Sequence, residues 1–166
     1  MSTPNALEIL KKALLLEMRG KSFYEKAANS AEDPVVADFF VKLAEDEVQH
    51  VEILSEQYKS YKKDGTFKAP NLDASHESIA VAVLTDELKQ KIAGAGFESA
   101  AISAAMGMEE RAIQLYSQRA SEASDPEEKA LYDWLAKWET EHLESLATIE
   151  KQVTEAIWND NSFWPF

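Results

Sequence analysis

A set of residues in this 166-residue chain recurs at a constant offset of 92 positions, and no other feature constrains the fold as tightly. The offset carries Glu17 onto Glu109, Arg19 onto Arg111, Tyr24 onto Tyr116, Asp33-Pro34 onto Asp125-Pro126 and Leu43-Ala44 onto Leu135-Ala136. It continues through Glu47 to Glu139, His50 to His142, Glu52 to Glu144 and Leu54 to Leu146. A register that never slips over such a span implies that both halves are the same supersecondary unit, and two like units can close around a pseudo-twofold axis.

Hydrophobic periodicity makes each unit a helical hairpin. Four segments, at 5–31, 34–63, 98–123 and 126–157, carry apolar residues in steps of three and four, whereas β-branched runs and hairpin-turn signals are scarce. Asp33-Pro34 and Asp125-Pro126 each supply a capping carboxylate followed by a proline at the first helical position, where its missing N–H costs nothing. Glu128, three residues after Asp125, completes a capping-box pattern. Asp64-Gly65 marks the end of the second helix. The sequence therefore predicts an all-α, antiparallel four-helix bundle in one domain, 1–166: a hairpin at 5–63, a crossover at 64–97 with a short helix near Thr85 to Ala93, a second hairpin at 98–157 and an aromatic tail at 158–166.

The apolar seams of these helices are interrupted by charge. On the second helix Val36, Phe40, Leu43, Glu47, His50 and Leu54 share one face, and on the fourth Tyr132, Leu135, Glu139, His142, Leu146 and Ile149 do. Glu17 shares a face with Leu10, Leu14 and Tyr24, and Glu109 with Ile102, Met106, Ile113 and Tyr116. Glu17 lies ~14 residues before its turn and Glu47 ~13 after it, so at ~1.5 Å of rise per residue the two stand at nearly the same level. The same holds for Glu109 and Glu139, which places four carboxylates and two imidazoles in one cross-section of the core.

Burying even one unpartnered carboxylate costs several kcal/mol, roughly, after relaxation. The seam positions hold no lysine or arginine, whereas two divalent cations would balance four glutamates in formal charge. The E-x-x-H spacing puts a carboxylate and an imidazole on one face a turn apart, so that the carboxylate can bridge two metals while the imidazole terminates one. This donor set suits iron or manganese and also admits zinc.

Composition removes the competing classes. With no cysteine there can be no disulfide, thiolate zinc site, iron–sulfur cluster or cysteine-ligated iron. A formal charge of -13 argues against a nucleic-acid partner. The start Met1-Ser2-Thr3-Pro4 has no basic and apolar leader pattern, and the longest apolar run, Ile79 to Leu84, is far too short to span a bilayer, so the expectation is a soluble, unexported, cytoplasmic protein with no membrane partner.

Two E-x-x-H helices in register with two single-Glu helices, each with a tyrosine seven residues beyond its glutamate, resemble the rubrerythrin branch of the ferritin-like di-iron carboxylate superfamily over residues 5–157. The resemblance implies two iron ions, with Glu17 and Glu109 as terminal carboxylates, Glu47 and Glu139 as bridging carboxylates, and His50 and His142 as one nitrogen ligand per metal. It casts Tyr24 and Tyr116 as groups behind the ligands, hydrogen-bonded to ligand carboxylates and able to give protons or electrons; the plain alternative is an ordinary buried tyrosine. The implied activity is a di-iron oxidoreductase, a peroxidase or ferroxidase, that reacts with hydrogen peroxide or dioxygen in oxidative-stress defence or iron handling. The competing reading is a metal-binding or metal-buffering protein without turnover; oxygenation of an organic substrate, which needs an access cavity, ranks last.

Three departures bound the resemblance. These 166 residues hold no cysteine and so no cysteine-ligated rubredoxin domain of the rubrerythrin kind, and the expectation is that electrons come from a separate donor. Ala112 stands where rubrerythrins place an extra glutamate one turn after the third-helix ligand, which makes the site more like the symmetrical centre of bacterioferritin. Val48 replaces the haem-binding methionine of bacterioferritins, and no clear fifth helix follows residue 157, which argues against haem and against a many-subunit cage. His76 reads as a solvent-facing or capping residue. Trp158, Phe163, Trp164 and Phe166 read as a tail folded onto the core, with a dimer contact as the alternative, and Trp134 and Trp138 as packing. The tail and the resemblance together favour a homodimer.

Overall fold

The computed structural model describes residues 5–70, 72, 85–93 and 96–159. His76, with the crossover stretch 73–84, and the tail residues Phe163, Trp164 and Phe166 lie outside them. The described residues form five helices and no strand: α1 (Ala6–Ser30), α2 (Pro34–Asp64), α3 (Asp86–Ala93), α4 (Gly96–Glu122) and α5 (Pro126–Trp158). The all-α bundle expected from the sequence is what the chain forms, and no helix among the described residues is long and apolar enough to cross a membrane.

Local chemistry sets the helix ends. Asn5 caps α1 by accepting from the Leu7 amide at 3.1 Å, and Asp33 caps α2 by accepting from the Val35 amide at 2.8 Å, with Pro34 in the first turn. That contact, reinforced by Lys91, holds the Asp33 carboxyl below its ordinary range. α2 ends at Gly65, whose left-handed φ of 70° lets its N–H bond to the Tyr61 carbonyl. Asp125 accepts from the amides of Glu127 at 2.8 Å and Glu128 at 3.4 Å. The Glu128 side chain does not complete a capping box as the sequence pattern implied; it pairs with Arg119 across the α4–α5 turn at 2.6 Å.

Turns of a few residues make α1–α2 and α4–α5 antiparallel hairpins, and α1 meets α4 across the bundle. The crossover helix α3, capped by Thr85 on the Leu88 amide, buries Leu88 and Ile92 against the bundle, and its Lys91 reaches Asp33 at 3.2 Å. Side chains pack in two apolar layers. One gathers Tyr24, Val36, Phe39, Phe40, Leu43, Leu88, Ile92, Ile102, Leu146 and Ile149. The other gathers Ile9, Leu10, Ala13, Leu54, Ala112, Tyr116, Leu131, Tyr132 and Leu135. Each holds one of the repeated tyrosines, stacked on the aromatic residue at the repeated position: Tyr24 on Phe40 and Tyr116 on Tyr132. Between them lies a layer of charge. Trp158 departs from the expectation that the tail folds onto the core: 64% of its surface is exposed, because the last turn of α5 runs past the bundle's apolar layers.

Candidate metal centre

The polar layer is assembled from one side chain on each of α1 and α4 and two on each of α2 and α5. Glu17, Glu47, His50, Glu109, Glu139 and His142 are all at most 3% exposed. They fall into two overlapping groups, Glu17–Glu47–His50–Glu139 and Glu47–Glu109–Glu139–His142, in each of which one donor atom per residue lies within 4.8 Å of the others. Glu47 and Glu139 belong to both groups. All six residues that the seam analysis singled out are thus brought together, arranged as two cation-sized nests that share two carboxylates.

Both imidazoles turn Nδ1 into the layer. His50 Nδ1 lies 2.8 Å from Glu139, 3.1 Å from Glu17 and 3.4 Å from Glu47. His142 Nδ1 lies 3.1 Å from Glu139 and 3.5 Å from both Glu47 and Glu109. The tyrosines reach across the pseudo-twofold axis: Tyr24 on α1 donates to Glu109 on α4, and Tyr116 on α4 donates to Glu17 on α1. Burial, aided by the adjacent carboxylates, pushes both phenols far up, so each hydroxyl keeps its proton and acts as donor.

Electrostatics test whether this layer is built for cations. Burial, with Glu139 and Glu17 nearby, pushes the Glu47 carboxyl well above the ordinary range. Burial and Glu139 push Glu109 up to about 8, against the opposing pull of His142. Burial works against charge on His50 and His142, but the surrounding carboxylates outweigh it and raise both. Those imidazoles in turn hold Glu139 well below the carboxylate range in spite of its burial. Without cations the layer must retain protons to limit its own repulsion. No lysine or arginine among the described residues is ion-paired with any of the six groups. Two divalent cations in three-oxygen, one-nitrogen nests would relieve the same repulsion, and the donor set fits iron, manganese or zinc.

A cavity of about 100 Å³ leads to the layer between α1 and α4, lined by Leu16, Arg19, Gly20, Met108, Arg111 and Ala112 together with Glu17, Glu47, Glu109 and Glu139. Small residues at the repeat-related positions Gly20 and Ala112 open it. A Cβ added at Gly20 would stand 3.5 Å from the Glu47 carboxyl carbon. Arg19 and Arg111, both exposed, stand at its mouth.

Sequence reasoning missed Asp46. It is fully buried and accepts from His142 Nε2 at 2.9 Å. Its position between Leu43 and His50 on the seam face was the available signal, but the 92-residue offset pairs it with Trp138 and not with another acid. Trp134 and Trp138 are packing residues as expected, and the ring they pack on is that of His50, with centroids 5.7 and 5.1 Å away.

A family model described as Rubrerythrin matches residues 8–150. No curated protein and no solved structure matches the chain.

Proposed function

We propose, from the premise that this chain belongs to the rubrerythrin family, that its buried Glu/His layer is a di-iron centre that reduces hydrogen peroxide or dioxygen with electrons from a separate donor. The observation that carries the reading is the pair of overlapping nests sharing Glu47 and Glu139, entered by a small cavity from the α1–α4 face. Glu17 with His50, and Glu109 with His142, would terminate the two iron ions, while Glu47 and Glu139 would bridge them. The setting in this proposal is a cytoplasmic homodimer acting in oxidative-stress defence or iron handling.

Bound iron would supply the one-electron redox couple that the side chains lack. The chain contributes the rest. The apolar layers on either side keep the surroundings of the carboxylates dry, which strengthens every electrostatic interaction inside. The cavity, at about 100 Å³, holds a few molecules the size of water. That suits peroxide or dioxygen and is well below the roughly 300 Å³ at which pockets for organic ligands begin. Reduction of peroxide to two waters consumes two electrons and two protons. Tyr24 and Tyr116 keep a proton one hydrogen bond from Glu109 and Glu17, and in this reading they would relay protons to those carboxylates.

The test is to mix the anaerobic ferrous protein with each oxidant in a stopped-flow spectrometer, then add an external reductant. Fast oxidation by one oxidant, followed by many turnovers, is the expected result. Equally slow reaction with both, or a single stoichiometric oxidation without turnover, would leave a protein that holds metal and does not catalyse.

A further inference from the structure

We infer that the two metal positions are unequal, the one beside His142 being the tighter, because Asp46 supports that imidazole while an indole occupies the equivalent place beside His50. The inference rests on the reading of the layer as a two-metal centre.

The repeat predicts equal halves, and around the layer the halves do agree: the six Glu and His residues, both tyrosines and the aromatic rings stacked on them recur at the same offset. They differ beside the histidines, where the offset pairs Asp46 with Trp138 and Lys42 with Trp134. His142 presents Nδ1 to the carboxylates and Nε2 to Asp46, whose Oδ2 is 2.9 Å away. His50 presents Nδ1 to the carboxylates in the same way, but its Nε2 has no hydrogen-bond partner among the described residues. Its ring meets Trp134 and Trp138 in edge-to-face contacts. The pseudo-twofold operation that carries one histidine onto the other therefore carries a carboxylate onto an apolar ring.

An imidazole that ligates through Nδ1 must carry its proton on Nε2. A buried carboxylate accepting that proton fixes the tautomer, fixes the ring plane and sends electron density toward Nδ1, and losing such a partner typically lowers metal affinity by about 10–100-fold. It also adds negative charge beside one nest alone. Asp46 is in this sense a positioning residue: it acts on a metal through His142. The His142 position fills first, and the His50 position, whose ligand is held by packing against two indoles, fills second and exchanges faster.

The test uses the full chain stripped of metal and titrated with Zn²⁺, which is redox-silent, while imidazole ¹H–¹⁵N correlation spectra follow each histidine, told apart by single His→Gln variants. His142 resonances should reach their bound positions before those of His50, with dissociation constants separated by about 10–100-fold. Asp46→Asn, whose amide oxygen still accepts the N–H but carries no charge, should weaken the first step, shift the His142 Nε2 resonance and leave the second step nearly unchanged; Asp46→Leu should weaken the first step further. Simultaneous filling in the unaltered chain would overturn the inference even if both variants failed to fold. Equal weakening of both steps in Asp46→Asn would overturn it too, while leaving the metal centre standing. Failure of Zn²⁺ to bind at all would remove the metal-centre reading and this inference with it.

Discussion

Single side chains in the layer have separable duties because the two nests overlap only at Glu47 and Glu139. Glu47→Ala removes a donor from both nests and should abolish binding of both metals, whereas Glu17→Ala should spare the metal beside His142; elemental analysis after iron reconstitution separates the outcomes. Equal loss in the two variants would contradict the shared-carboxylate arrangement. Tyr24→Phe keeps the stack on Phe40 but leaves buried Glu109 without its phenolic donor. In the metal-free protein this should cost about 1–3 kcal/mol in urea unfolding. The sequence made the six layer residues legible because the repeat turned two common E-x-x-H motifs into one coincident pattern. Asp46 stayed hidden for the complementary reason: it breaks the repeat, and in a chain of charge -13 its place on the seam face between Leu43 and His50 is a weak signal without the repeat to reinforce it.

At the level of helices, capping residues made the boundaries readable to within about two residues, and the largest slip came at the start of α4, Gly96 in place of 98. The Asp33 cap does two jobs, accepting from the Val35 amide and pairing with Lys91 of the crossover helix. Asp33→Ala, which loses the cap as well as the ion pair, should lower the denaturation midpoint more than Lys91→Ala, which loses only a partly exposed ion pair. Chemical denaturation of both variants measures the difference, and equal losses would mean that the ion pair, and not the cap, holds this corner. The entry cavity was not legible, since its size depends on how closely α1 approaches α4, which the small side chains at positions 20 and 112 decide jointly. Ala112→Val narrows that route without touching a donor atom. It should slow oxidation of the ferrous protein several-fold at unchanged iron content, and an unaltered rate would mean that oxidant enters elsewhere.

The whole molecule is a compromise between a core that favours apolar contact and a central layer that opposes it, so its stability should depend on pH in opposite ways with and without metal. In the metal-free protein Glu109 keeps its proton up to about 8, whereas in the unfolded chain it releases it near the ordinary 4.5. Between those values the folded state binds the extra proton, so stability falls as pH rises, by ~1.4 kcal/mol per pH unit for each such proton. His50 and His142, raised above their ordinary 6.5, act in the same direction: their contribution is complete below that value and is lost as pH climbs through their folded values. Glu139, held below the carboxylate range, acts oppositely, but its contribution is already complete above the ordinary 4.5. From about pH 6 to about pH 8 the metal-free protein should therefore lose thermal stability. Metal binding demands that the same carboxylates and imidazoles give up their protons, so affinity, and the stabilisation it confers on the fold, grows over that interval. Melting curves of the stripped and reconstituted protein at the two ends of the interval should show the gap in Tm widening toward alkaline pH. A gap that closes as pH rises would mean that the buried protons do not sit on the groups that hold the metals.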